Sequence, residues 1–187
     1  MAEARASLSG KWKGAAIVTL VYMLIVSLIR LIPGIGPIIS LVICGPILVG
    51  LYRYMLQVSR GGNPDLNVLF SGTDCIGKAI GVYILTTLII VVGMMLLIVP
   101  GVYAALAFAL CLFFLADSST LGVIDILKKS HALMKGNMWK LFCLFFRFFG
   151  WMILGALTLG IGFLWVLPYF LVSVSKFYDE VKGAEAA

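Results

Sequence analysis

Six apolar runs fill most of this chain: Ala15–Ile32, Ile38–Val58, Ile76–Val99, Val102–Ala116, Leu141–Leu157 and Ile161–Ser175. They are continuous rather than alternating, so they read as helices and not as strands of a barrel. A helix that crosses a bilayer needs roughly 17–25 apolar residues. The fourth and sixth runs are short, and are expected to extend past these limits. Of the 187 residues, 63% are hydrophobic and 12% charged. Soluble domains hold about 45–50% apolar and about 25% charged residues. A chain of this length could not hide so much apolar surface, so its solvent is expected to be lipid. The sequence predicts an all-α polytopic membrane protein of about six transmembrane helices in a single domain.

Three joins between runs have one character: LIPGIGPII (Leu31–Ile39), LIVPGVYAA (Leu97–Ala105) and LTLGIGFLW (Leu157–Trp165). None carries the Asp, Asn, Ser or Lys of a water-facing turn. Pro and Gly break the helix and supply the turn angles. Each join reads as a short hairpin turn that barely leaves the bilayer.

Twelve of the fourteen Lys and Arg lie in the N-terminal segment, the two long connections, the adjoining helix ends or near the C-terminus. Cytoplasmic segments carry the excess of Lys and Arg. Both termini and both connections are therefore expected on the cytoplasmic side of a bacterial inner membrane, with the three turns outside. The net charge of +6 reads as topology and not as a nucleic-acid interface. Arg5, Lys11 and Lys13 before the first run suggest a signal peptide. That run exceeds a signal core of about 7–15 residues and no small-x-small site follows, so the segment is expected to remain as the first span.

The chain also repeats. SGKWKGA, SGTDCIGKA and KGNMWKL precede the first, third and fifth runs, and Gly10, Gly72 and Gly136 stand 62 and 64 residues apart. The unit is a basic entry, a span, an apolar turn and a returning span, over roughly residues 10–60, 72–117 and 136–181. Pro46 and Pro168 interrupt two returning runs, followed by the basic-aromatic clusters YRY and KFY. An even number of spans per unit makes the three hairpins parallel repeats rather than inverted ones. The opposing explanation is that all membrane hairpins look alike.

Between the fourth and fifth runs, Thr120–Lys135 reads as an amphipathic helix. Leu121, Ile124, Leu127 and Met134 would line one face, with His131 at its edge, and Asp125, Lys128, Lys129 and Lys135 the other. Ser119 and Thr120 are N-cap types, and Gly136-Asn137 supplies the stop. Such a helix either lies in the headgroup layer or packs on the ends of the bundle. The shorter connection holds a Gly-Gly-Asn-Pro turn and then Leu66, Val68, Leu69 and Phe70, an apolar edge expected at the same interface.

Met134-Lys135-Gly136-Asn137, Trp139, Gly150-Trp151, the Leu157–Gly162 run, Pro168-Tyr169 and Phe177-Tyr178 resemble the bacterial family called "domain of unknown function 975". The entry SLSGKWKGAAIVTLVY and the IPGIG, LFSG and IVPG segments match it too. The resemblance implies a small bacterial integral membrane protein, distantly similar to the membrane domains of some glycerophosphodiester phosphodiesterases. It carries no established activity, so no catalytic residue transfers.

The residues themselves point to no enzyme. There is no H-E-x-x-H, G-x-S-x-G or phosphate loop, and no acidic residue deep in a run, as a proton relay needs. Neither cofactor nor metal is expected. Cys44, Cys75, Cys111 and Cys143 are scattered and read as small hydrophobes. Arg147 stands two turns into the fifth run: it binds a lipid phosphate, pairs with Asp117, or snorkels to the headgroups. Arg30, near the outer end of the first run, would snorkel outward. The candidate headgroup-binding set is Arg147, Asp117, Arg30, Lys128, Lys129 and Lys135. The expected partners are membrane lipids, with a second copy or a transporter as further candidates. Two functions follow: handling a membrane-embedded amphiphile (a lipid or exported peptide) or assisting a transporter, and, as the alternative, organising the membrane or docking a partner.

Overall fold

The structure, a computed structural model, describes residues 11–31, 36–158 and 162–186. It is helical throughout, with no strand among the described residues. The elements are α1 (Trp12–Arg30), α2 (Gly36–Ser59), a 3-10 helix η1 (Leu66–Cys75), α3 (Ile76–Leu96), α4 (Ile98–Ala107), α5 (Cys111–Asp117), α6 (Val123–Met134), α7 (Met138–Leu157) and α8 (Phe163–Ala186). Four stretches are long and apolar enough to cross a membrane: Trp12–Ile29, Leu66–Leu96, Ile98–Asp117 and Met138–Leu157. Residues 32–35 of the first apolar turn, residues 159–161 of the last and the Arg30 side chain lie outside the described residues.

Successive long helices pair: α1 with α2, α3 with α4, and α7 with α8. Further contacts run round the bundle, α3 against α2, α7 against α4 and α1 against α8. Inside that circuit α2 packs on both α5 and α8. Tyr52 of α2 stacks on Phe113 of α5 at 4.3 Å between ring centroids, and Tyr178 of α8 meets Phe113 and Phe114 at 5.9 and 5.1 Å. Burial follows the same division. In the most apolar 18-residue window of Leu66–Leu96 11% of residues are buried, against 44% in that of Ile98–Asp117.

The second apolar turn is much tighter than expected. Leu97 alone is extended, at φ −164° and ψ 149°, and Ile98 already begins α4. Pro100 fits there because the first turn of a helix needs no N–H from it. Gly101 lets the two helices touch, since a Cβ there would stand 2.7 Å from the Met94 nitrogen. The expected Val102–Ala116 span thus starts earlier, and it is broken at residues 108–110. There the Cys111 N–H donates to the Phe108 carbonyl rather than to that of Ala107. The Ala107 carbonyl instead accepts from the Ser130 hydroxyl at 2.9 Å, which ties α6 to the break.

α6 begins at Val123, three residues after the expected start, with Gly122 before it in place of Ser119 or Thr120. Its buried face is Ile126, Leu127, Ser130, Leu133 and Met134. Ile124, expected on that face, is 64% exposed. Packing on α3, α4 and α5 sets this phase. The expected stop holds, with Gly136 at φ +93°. The shorter connection is also more built than expected. In η1 every third residue, Leu69, Gly72 and Cys75, is buried against α2, the period of a 3-10 helix. The approach requires glycine: a Cβ on Gly72 would lie 1.9 Å from the Pro46 carbonyl oxygen, and one on Gly50 1.8 Å from that of Leu69. Leu66 and Phe70 stay exposed.

Candidate functional site

The long connections emerge at one end of the bundle, where the last turns of α2, α5 and α8 converge. Arg53 and Gln57 of α2 and Arg60 directly after it follow at helical spacing and share one face. Arg53 is held by carbonyls: its Nε donates to Ala116 at 3.1 Å and its Nη1 to Ser71 at 2.8 Å, with Asp74 at 3.6 Å. Its Nη2 has only a 3.9 Å contact to the Cys75 thiol.

Arg60 bridges two helices. Nη1 donates to Asp117 Oδ1 at 2.8 Å, Nη2 to Asp179 Oδ1 at 2.7 Å, and Nε to both Asp179 oxygens at 3.3 Å. The other Asp117 oxygen accepts from Lys182 Nζ and from the Tyr178 hydroxyl, the latter at 3.2 Å. Asp117 is the centre of this cluster. Its side chain is 12% exposed, while those of Arg60 and Lys182 are 45% and 44% exposed. The hydrogen bond to Asp179 raises the Arg60 pKa above its ordinary value, against burial, with Asp117 adding to it. Burial first, and then the charge and hydrogen bond of Asp117, push the Tyr178 phenol up. Tyr178 is therefore a neutral donor at physiological pH.

Two lysines fasten the same end. Lys11 Nζ donates to the carbonyls of Gly61 and Gly62 at 2.6 and 2.8 Å, just past α2. Lys78 Nζ donates to those of Ser119 and Thr120 at 2.6 and 3.2 Å, just past α5. Beside the cluster lies a cleft of about 440 Å³, lined by Arg53, Leu56, Gln57, Arg60, Asp74, Ala116, Asp117 and Ser119.

With both its oxygens engaged, Asp117 is arranged as a tie between helices and not as a proton acceptor. Among the described residues no three His, Cys, Asp or Glu stand close enough to hold a metal.

Of the residues expected from sequence, only Asp117 sits in this cluster. Arg147 does not reach it. It is exposed on α7 and makes no hydrogen bond or ion pair with a described residue. The expected alternative of an Arg147–Asp117 pair is therefore not made, since Arg60 and Lys182 occupy the carboxylate. Lys128, Lys129 and Lys135 are exposed on the outer face of α6. His131 lies half-buried between the rings of Tyr103 and Phe108, each at 6.2 Å. Cys44, Cys75 and Cys111 are buried thiols and Cys143 is exposed.

Sequence reasoning missed Arg53, Arg60, Tyr178, Asp179 and Lys182 as a group. The visible signal was the pair of basic-aromatic clusters after Pro46 and Pro168, which hold Arg53 and Tyr178.

No curated protein and no solved structure matches the chain. The family described as "Protein of unknown function (DUF975)" matches residues 75–185, from the end of η1 through most of α8, and the chain belongs to that family.

Proposed function

We propose that the protein is a non-enzymatic inner-membrane protein that binds an anionic amphiphile at its lipid-facing periphery. In this reading α2 and α8 complete six spans, arranged as three parallel hairpins with both termini and the connection end in the cytoplasm. Two regularities support it. The circuit of contacts closes, each outgoing helix touching its own return and that of the preceding hairpin. The inner ends of the three returns contribute Arg60, Asp117 and Asp179 to one cluster. The segregation of Lys and Arg supports the orientation.

The observation that carries the function is Arg147. It is exposed on a peripheral helix and has no protein partner among the described residues. It lies about 10 Å further along α7 than Lys140, at 1.5 Å per residue. The spacing i, i+7 puts both cations on one face, so a phosphate drawn in from the headgroup layer meets Lys140 first and Arg147 deeper. Lys128 and Lys129 on α6 and Lys135 just past it add exposed positive charge.

The test is lipid retention by the purified protein, read by native mass spectrometry beside detergent melting. Arg147→Lys is expected to lose bound anionic lipid, because lysine lacks the planar fork, and Arg147→Leu to lose more. Wild-type retention in both variants would leave Arg147 merely snorkelling.

A second reading, a module that organises the membrane or docks a transporter or a second copy, is favoured by a different observation. Beside the Asp117 cluster the rings of Tyr52, Phe113, Phe114 and Tyr178 pack on one another between α2, α5 and α8. That packing suits a scaffold better than a path for a polar solute.

A further inference from the structure

We infer that the cleft beside Asp117 is a binding site for a zwitterionic phosphoammonium group, a phosphate diester joined to an ammonium through a short carbon link. Its charged lining is balanced, Arg53 and Arg60 against Asp74 and Asp117. A simple anion meets two carboxylates there, and a simple cation two guanidiniums. A ligand carrying both charges satisfies both.

The groups differ in how fully they are used. Arg60 and Asp117 are committed to the cluster. Arg53 is only partly used, its Nε and Nη1 resting on the Ala116 and Ser71 carbonyls, and Asp74 accepts no close hydrogen bond from a described residue. Their contact is 3.6 Å, longer than a good charge-assisted hydrogen bond. Asp74 is 73% exposed and Arg53 Nη2 has only its distant thiol. The Gln57 amide and the Ser119 hydroxyl, on the same cleft, make no hydrogen bond to a described residue. A phosphoammonium group laid against the Arg53–Asp74 pair, head to tail, would place its phosphate at Arg53 and Gln57 and its ammonium at Asp74. At about 440 Å³ the cleft accommodates such a group. Phe70 and Leu66 are exposed on η1, the helix that carries Asp74, and offer apolar surface to an attached acyl chain. The proposal rests on the membrane placement above but not on Arg147.

The test uses the full chain in nanodiscs of equimolar phosphatidylethanolamine and phosphatidylglycerol. Lipids retained after gentle extraction are counted by native mass spectrometry. In an Arg147→Leu background, which lacks the anionic-lipid site proposed above, the chain is expected to retain the ethanolamine lipid in excess. Asp74→Asn should cut the ethanolamine-to-glycerol ratio by about 1.4- to 5-fold, the range for an exposed ion pair, and Asp74→Glu should restore it. Displacement of the lipid by millimolar glycerophosphoethanolamine would show that the free headgroup suffices, and no displacement that the lipid is required. Retention of the glycerol lipid equal to or above the ethanolamine lipid in that Arg147→Leu background would overturn the assignment. So would an unchanged ratio in Asp74→Asn, whatever the Arg147 variants do.

Discussion

Replacing Asp117 is the sharpest perturbation of the cluster, because one carboxylate receives donors from two other helices. It accepts from Arg60, Lys182 and Tyr178. Buried hydrogen bonds to a charged group contribute about 1.5–3 kcal/mol each, whereas exposed ion pairs contribute only about 0.2–1 kcal/mol. Here the carboxylate is nearly covered and its two cations are almost half exposed. Each cation bond is therefore worth about 1 kcal/mol, and the tyrosine bond adds about as much. Asp117→Ala is expected to cost about 2–3 kcal/mol, and Asp117→Asn, which keeps one acceptor oxygen, about 1–2 kcal/mol. Reversible unfolding in mixed micelles measures this, followed by the fluorescence of Trp12, Trp139, Trp151 and Trp165. A double-mutant cycle with Lys182→Ala should give a coupling of about 0.5–1 kcal/mol. Stability of Asp117→Ala within about 0.5 kcal/mol of wild type, or strict additivity with Lys182→Ala, would refute the reasoning.

Other perturbations have expected signs and sizes. Gly72→Ala drives a methyl into the Pro46 carbonyl and should destabilise by about 1–3 kcal/mol, the usual cost of overpacking, in the same unfolding assay. Ser130→Ala removes the donor to the Ala107 carbonyl; leaving that buried acceptor unpaired should cost about 1–3 kcal/mol. Its partner experiment is hydrogen exchange, which should quicken in α6 and at residues 108–110 but not in α1. Lys78→Met, which releases the Ser119 and Thr120 carbonyls, should lower stability by less than about 1 kcal/mol, since those bonds are open to solvent.

The helical class and most helix limits were legible because long continuous apolar runs permit little else in lipid. The Ile38–Val58 run became α2 (Gly36–Ser59) and the Leu141–Leu157 run became α7 (Met138–Leu157), each moved by three residues or fewer at either end. Pro and Gly were less reliable markers. In LIVPGVYAA they predicted a loop, yet Pro100 sits inside the first turn of α4, where its missing N–H costs nothing. The phase of α6 was misjudged at Ile124 because the stripe drawn through Leu121 and Leu127 ignored what the helix would pack on. The cluster was hidden for another reason. Arg60, Asp117 and Asp179 are separated by 57 and 62 residues; Arg60 and Asp179 each read alone as an ordinary charge at a helix end, and Asp117 was a candidate only as a partner of Arg147. Only the convergence of three helix ends gives them a common partner.

The central claim is that the three hairpins enter the membrane from the same side. In a cysteine-free background, single cysteines at Ser9, Asn63, Leu97 and Glu185 can be exposed to an impermeant maleimide in intact cells. The account predicts that Ser9→Cys, Asn63→Cys and Glu185→Cys stay unlabelled until the membrane is permeabilised, while Leu97→Cys at the hairpin end reacts from outside. Labelling of any of the first three in intact cells would contradict it.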